Sequence, residues 1–146
     1  VRFVLIGGGA AITHGLARAT YDVDIVYDRR NDNLQNLVEA LRDIHLYYRG
    51  APPGLPFFWD VETLRSGLNF TLTSDWGDID LLGEVAGNGT FETLIHDSDI
   101  IELYGQTIHV VALPRLIQLK RAAGRPKDFE TLAELEALQE EKEADQ

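Results

Sequence analysis

The sequence predicts one α/β domain, with a mixed, partly antiparallel sheet, helices packed mainly on one side, and a helical C-terminus. Three observations carry this. Short apolar runs of strand length at residues 3–6 and 23–27 flank a glycine triplet, two Asp-x-Asp alternations fall on strand-like segments, and apolar residues recur at helical spacing over residues 34–44 and 113–120. At 146 residues the chain fits a single domain, 1–146, large enough to bury a real core.

Phe3–Ile6 is an apolar run that ends in Gly7-Gly8-Gly9, the pattern of a buried strand entering a tight turn. Residues 10–14 leave room only for a short helix before Gly15 stops it. Residues 23–27 form the second strand. Asn33 then caps a helix whose Leu34, Leu37, Val38, Leu41 and Ile44 follow helical spacing. From residue 45 to 67 the pattern breaks down around Ala51-Pro52-Pro53-Gly54 and Pro56, which predicts a loop over the site with a helical turn near 61–64. Its Phe57, Phe58 and Trp59 suit core packing better than stacking on a base. Strands are predicted at 68–73 and 79–82 around the turn Ser74-Asp75-Trp76-Gly77, then a short helix near 91–95. A hairpin joins 100–103 to 107–111 through Tyr104-Gly105-Gln106. Pro114 opens a helix that Gly124 closes, and Pro126 opens another carrying Leu132, Leu135 and Leu138 that frays from residue 140.

Composition narrows the function. Cysteine is absent, no apolar run approaches the ~20 residues of a membrane span, and Val1-Arg2-Phe3-Val4 enters a strand pattern instead of a signal peptide. A cytoplasmic protein with no membrane partner is the expectation. The chain opens on Val1 in mid-pattern and holds no methionine, which points to a preceding segment, a helix. Asn69-Phe70-Thr71 and Asn88-Gly89-Thr90 match the glycosylation pattern but mark a strand and a tight turn in a chain without a secretory signal. The formal charge of -11 disfavours a broad nucleic-acid-binding face, although residues 134–146 alone carry -5 of it. Against that background Arg115, Lys120, Arg121, Arg125 and Lys127 crowd into one short stretch, as suits either a local anionic ligand or solvated helix faces with ordinary charge pairs.

The sharpest chemical signal is Asp22-Val23-Asp24. On a strand these two carboxylates project from one side. Two like charges ~4 Å apart cost roughly 4 kcal/mol at an effective dielectric of about 20, so the pair calls for a cation. Asp78-Ile79-Asp80 repeats the alternation, and if the two strands are neighbours, Asp22, Asp24 and one of Asp78 or Asp80 converge. Magnesium takes hard oxygen ligands from a few carboxylates and substrate phosphates, the composition of a phosphoryl-transfer site. Gly7 to Gly9 offer backbone amides to a phosphate. Lys120 falls on the apolar stripe of Leu113, Leu116 and Ile117, so it either snorkels out or enters an anionic pocket, and the carboxylates favour the pocket. His14, His45, His96 and His109 show no zinc spacing and no serine stands in a G-x-S-x-G elbow; His14 alone is near enough to the glycine turn to line a ligand site.

Strand, Gly7-Gly8, short helix and Arg18-Ala19-Thr20-Tyr21-Asp22-Val23-Asp24 together resemble the signature of the nucleotidyltransferase superfamily with a DNA-polymerase-beta-like palm. Gly77-Asp78-Ile79-Asp80-Leu81-Leu82 resembles its third-carboxylate strand. The segment from Leu116 through Lys120-Arg121 and Gly124-Arg125-Pro126-Lys127 to Asp128 is similar to the C-terminal element of small bacterial members related to AbiEii-type toxins. The likeness spans nearly the whole chain. It implies transfer of a nucleoside monophosphate from a nucleoside triphosphate such as ATP to an acceptor hydroxyl, dependent on Mg2+ or Mn2+, with pyrophosphate released. By that resemblance Asp22 and Asp24 hold the metals, Asp80 joins them and helps activate the acceptor, Gly7 and Gly8 cradle phosphate, and Lys120 contacts the triphosphate. The acceptor class stays open among tRNA, protein and small molecules, and a cognate antitoxin is an implied partner. Gly8 stands where many members carry serine. Two alternatives remain: a non-catalytic binding module of the same fold, as in one half of a toxin-antitoxin pair, and a Rossmann-type dinucleotide site. The Rossmann pattern fails at Ile12, where its third glycine or alanine belongs, and at Gly15, which leaves no room for a crossover helix.

Overall fold

The computed structural model describes residues 1–17 and 22–145. Strand β1 (Phe3–Ile6) passes directly into helix α1 (Gly7–Thr13), so the glycine triplet lies inside the helix and not in a turn before it. Gly7 makes this abrupt change of direction at φ +65°, a left-handed conformation that costs a residue with a Cβ about 1 kcal/mol or more. There follow β2 (Asp22–Tyr27), α2 (Asn31–Ala40), the two-residue β3 (Tyr47–Tyr48) and α3 (Val61–Ser66). Next come β4 (Asn69–Ser74), β5 (Gly77–Leu82), the short pair β6 (Glu84–Val85) and β7 (Gly89–Thr90), and α4 (Phe91–Leu94) with a 3-10 turn behind it. The hairpin of β8 (Ser98–Leu103) and β9 (Gln106–Val111) leads to α5 (Leu113–Ala123) and α6 (Asp128–Ala144).

Among the described residues the main sheet has seven strands in the order β3-β4-β5-β2-β1-β9-β8. It is mixed: β2 runs parallel to β5 and β1 parallel to β9, while the remaining neighbours are antiparallel. Alternation along the strands sends side chains to two cores. Val4, Ile6 and Val26 meet Leu116 and Ile117 of α5 and Leu135 of α6 on one face, where the two longest helices lie. Ile25, Tyr27, Leu72 and Leu81 meet Leu34 and Leu37 of α2 and Leu64 of α3 on the other. The fold is thus the mixed α/β class that the sequence predicts.

Several boundaries differ for physical reasons. The loop expected over 45–67 contains β3, and a full short helix at Val61–Ser66 whose N-cap Asp60 accepts from the Thr63 amide at 2.8 Å. Helix α6 runs to Ala144 through the acidic segment expected to fray. Gly124 does close α5, at φ +61°.

Asn33 is not the cap of α2. That position belongs to Arg30, and Asn33 is buried within the first turn. Its Oδ1 accepts from the Arg2 amide at 2.6 Å, and its Nδ2 donates to the carbonyls of Arg2 at 3.0 Å and Asp28 at 2.8 Å. It therefore staples the start of β1 to the end of β2. Beside it the fully buried Asp28 carboxylate meets Arg2 Nε at 2.7 Å and Arg30 Nη2 at 2.6 Å. Burial alone pushes the Asp28 carboxyl up, but the bonds from Arg30 and Arg2 outweigh it and hold it well below the usual carboxylate range. Asn33→Ala removes three bonds and leaves the Arg2 amide without its acceptor, so it should cost roughly 2–4 kcal/mol. Urea unfolding checks this: the midpoint should drop with an unchanged slope, and a loss under about 0.5 kcal/mol would refute the staple.

Candidate functional site

The parallel pairing of β2 with β5 sets Asp22 opposite Asp78 and Asp24 opposite Asp80. Neighbouring strands lie about 4.8 Å apart, so alternation places two carboxylates side by side on the face that α5 covers. On the other flank Asp24 is paired with Ile6, the last residue of β1, and Gly7 follows it. A Cβ on Gly7 would overlap Asp24 Oδ2, so the glycine makes room for the carboxylate as well as for the turn. These residues open into a cavity of about 440 Å³, lined by Gly7, Asp24, Thr71, Asp80 and Glu84 together with Leu116, Leu119, Lys120 and Ala123 of α5 and Arg125 beyond it. Its size lies within the ~300–1,000 Å³ of ordinary ligand sites.

Electrostatically this is a carboxylate site short of cation. Asp24 is pushed up to about 6, first by burial, then by Asp80 and Asp22, with Lys120 pulling the other way. Its Oδ1 is buried with no hydrogen-bond partner among the described residues. Asp80 differs: Arg49 Nη2 donates to its Oδ1 at 2.5 Å, while Arg49 Nε stands 3.2 Å from Asp78 Oδ2. Lys120 is mostly buried, with its Nζ 3.3 Å from Asp128 Oδ1 at the start of α6. Arg125 Nε meets the other oxygen of Asp128 at 2.7 Å. Asp128 is buried, which pushes its carboxyl up, but Arg125 and Lys120 together hold it below its ordinary value.

Among the described residues no group of three or more His, Cys, Asp or Glu side chains stands as a ready metal cage. Magnesium does not require one, since it is commonly held by one or two carboxylates and the oxygens of a bound phosphate. The orphaned Asp24 oxygen, the raised Asp24 and the adjoining Asp80 form a donor set that fits a hard divalent ion.

Of the residues singled out from sequence, Gly7, Asp24, Asp80 and Lys120 share the cavity. Asp22 does not line it. It is exposed at the start of β2, near enough to raise Asp24, and also borders an apolar cleft of about 850 Å³ on the opposite face of the sheet. Gly8 is absent from the lining, and Asp78 reaches the site only through Arg49. His14 is not in the cavity either, for its Nε2 lies 2.7 Å from the Val111 carbonyl oxygen, joining α1 to the end of β9. Phe57 and Trp59 pack into the second core as expected, while Phe58 is 70% exposed away from the cavity. The Arg18-Ala19-Thr20-Tyr21 part of the motif lies outside the described residues. Sequence reasoning missed Arg49, Thr71 and the Asp128 anchor of Lys120. Only cross-strand register reveals the first two; the third had a visible cue in an aspartate eight residues after a stripe lysine. No protein-family model matches the chain, and comparison with curated proteins returns no match.

The raised Asp24 fixes the sign of a pH effect. Between 3.8 and about 6 the folded chain holds a proton that the unfolded chain has released, so stability falls as pH rises through that window. The penalty is complete above it and absent below. Asp24→Asn should therefore stabilise the metal-free protein at pH 7.5, by up to about 3 kcal/mol at ~1.4 kcal/mol per pKa unit, and change little at pH 3.5. Thermal melting of both proteins at the two pH values checks it, and an equal difference at both would contradict the strained carboxylate.

Proposed function

We propose that this chain is a metal-dependent nucleotidyltransferase of the DNA-polymerase-beta-like superfamily, related to the small AbiEii-type members, working in the cytoplasm. The observation that carries the proposal is the pairing of Asp24 with Asp80 on parallel strands, facing a cavity whose α5 side supplies Lys120. No helix among the described residues is long and apolar enough to cross a membrane.

A divalent ion, Mg2+ or Mn2+, supplies Lewis-acid stabilisation of the charge that develops on the phosphoryl and leaving oxygens. The chain's residues do the rest. Asp24 and Asp80 would provide the carboxylate oxygens that hold the ion, with Asp22 adding negative charge from the same strand as Asp24. Asp80 accepts the proton of the acceptor hydroxyl as its oxygen attacks the α-phosphorus of the nucleoside triphosphate, the new P–O bond forming as the bond to pyrophosphate breaks. Lys120 and Arg125 neutralise the triphosphate, and Gly7 lets the backbone approach it. Leu116, Leu119, Val85 and Ala86 give the cavity apolar walls that exclude water around these charges. The acceptor is tRNA, protein or a small molecule, and control by a cognate antitoxin belongs to the same proposal.

Incubation with each labelled nucleoside triphosphate, magnesium and a cell extract tests this. One triphosphate should label one acceptor class, and Asp24→Asn should abolish the labelling. Retained nucleotide binding without any transfer would assign the fold to binding alone.

Lys120→Ala should lower nucleotide affinity about ten- to a hundredfold, the worth of a charge-assisted contact of roughly 1.5–3 kcal/mol. Folding should survive, because Arg125 still meets Asp128 at 2.7 Å. Calorimetric titration of triphosphate into both proteins decides the point, and equal affinities would withdraw Lys120 from the site.

A further inference from the structure

Arg49 stands at one end of a cross-strand row. It extends the ladder past β3, its amide donating to the Thr71 carbonyl at 3.1 Å; Thr71 pairs with Asp80 on β5, and Asp80 with Asp24 on β2. From Arg49 to Asp80 is two strand spacings, roughly 10 Å between backbones. Only a long side chain spans that distance, and the small Thr71 between them leaves the path open. The guanidinium ends on both Asp78 and Asp80, with Nη2 also donating to the Leu72 carbonyl at 2.9 Å. Its side chain remains about one-third exposed, so it is free to rotate outward without disturbing a core. The backbone beneath it is fixed: besides the Thr71 bond, the Ala51 amide returns to the Tyr48 carbonyl, and Tyr47 Oη lies within donating distance of the carbonyl oxygens of Pro52, at 2.7 Å, and Leu55, at 2.9 Å.

We infer that Arg49 is an internal counter-ion that occupies Asp80 while the site holds no metal and yields that carboxylate when a divalent cation binds. This rests on the proposed metal-dependent function. The guanidinium meets Asp78 and Asp80, so it relieves Asp80, while the Asp24 Oδ1 beside it has no hydrogen-bond partner among the described residues. The two cations therefore compete for one oxygen, and the competition sets a threshold for metal loading. The movement is a side-chain rotation, since the strand that carries Arg49 stays hydrogen-bonded to β4.

Two measurements on the intact chain test this. The first is the Mn2+ dissociation constant of the parent, Arg49→Gln and Arg42→Gln, the last removing a surface charge that pairs with Glu39. Arg49→Gln should bind about tenfold tighter than the parent, in line with removing one charge-assisted contact, and Arg42→Gln should match the parent. The second follows the Arg49 Nε–Hε NMR signal, assigned by its loss in Arg49→Gln, during a magnesium titration of the parent protein. It should shift, and its exchange with water should accelerate at least about tenfold, in step with metal occupancy. Metal saturation with the Arg49 signal unchanged overturns the inference and leaves the metal site standing, as does equal tightening in both glutamine variants. Absence of Mn2+ binding at millimolar concentration in every variant removes the metal reading and this inference with it.

Discussion

Everything around the candidate site answers one constraint: the register of β2 against β5 forces Asp24 and Asp80 to stand side by side, half out of water. Like charges at one strand spacing repel by several kcal/mol even at intermediate dielectric, and burial makes Asp24 harder to ionise. The surrounding residues relieve this only in part. Gly7 removes the one Cβ that would overlap Asp24, Arg49 reaches across β4 to Asp80, and Lys120 lowers the strain on Asp24 from α5. The Asp24 Oδ1 stays unpartnered among the described residues. The proposed metal-dependent function accounts for the pair, since a cation would take up the charge that the surrounding residues leave.

The cations near the cavity are already committed. Lys120 and Arg125 share Asp128, and Arg49 shares Asp78 and Asp80. Such pairing holds long side chains in position and limits the entropy lost when an anionic ligand arrives. It offsets only part of the negative charge that Asp22, Asp24, Asp78, Asp80 and Asp128 gather there. On the proposed function, a triphosphate with its metal brings both signs of charge. It can take Lys120 from Asp128, since Arg125 remains there, without leaving a bare buried carboxylate behind.

Much of the fold was legible because periodicity survives in single elements. The two Asp-x-Asp strands, the hairpin through Tyr104-Gly105 and the Gly124 stop of α5 each depend on residues that are adjacent in sequence. What was not legible depends on partners far apart. Asn33 looked like a cap because the residue type favours caps, yet its hydrogen bonds go to Arg2 and Asp28, which only the antiparallel pairing of β1 and β2 brings to it. His14 follows the glycine segment closely, but α1 begins at Gly7 and turns the imidazole toward Val111. Arg49 lies between two tyrosines and a Gly-Pro-rich loop, and nothing local tells that its side chain crosses two strands.

The two central carboxylates are chemically unequal, and their backbone neighbours decide which does what. Asp24 sits between Ile6 and Asp80 near the middle of the sheet, walled by Gly7 and α5, with no donor on Oδ1 and its proton held up to about pH 6. Asp80 is one strand nearer the edge, where β4 and the short β3 leave space for Arg49. Paired carboxylates whose environments diverge are suited to divided roles. The enclosed one gains most from a bound cation, because its Oδ1 has no partner among the described residues and Lys120 offsets its charge only in part. The outer one, reachable from the open rim and held by a cation that can rotate away, is better placed to meet an acceptor hydroxyl.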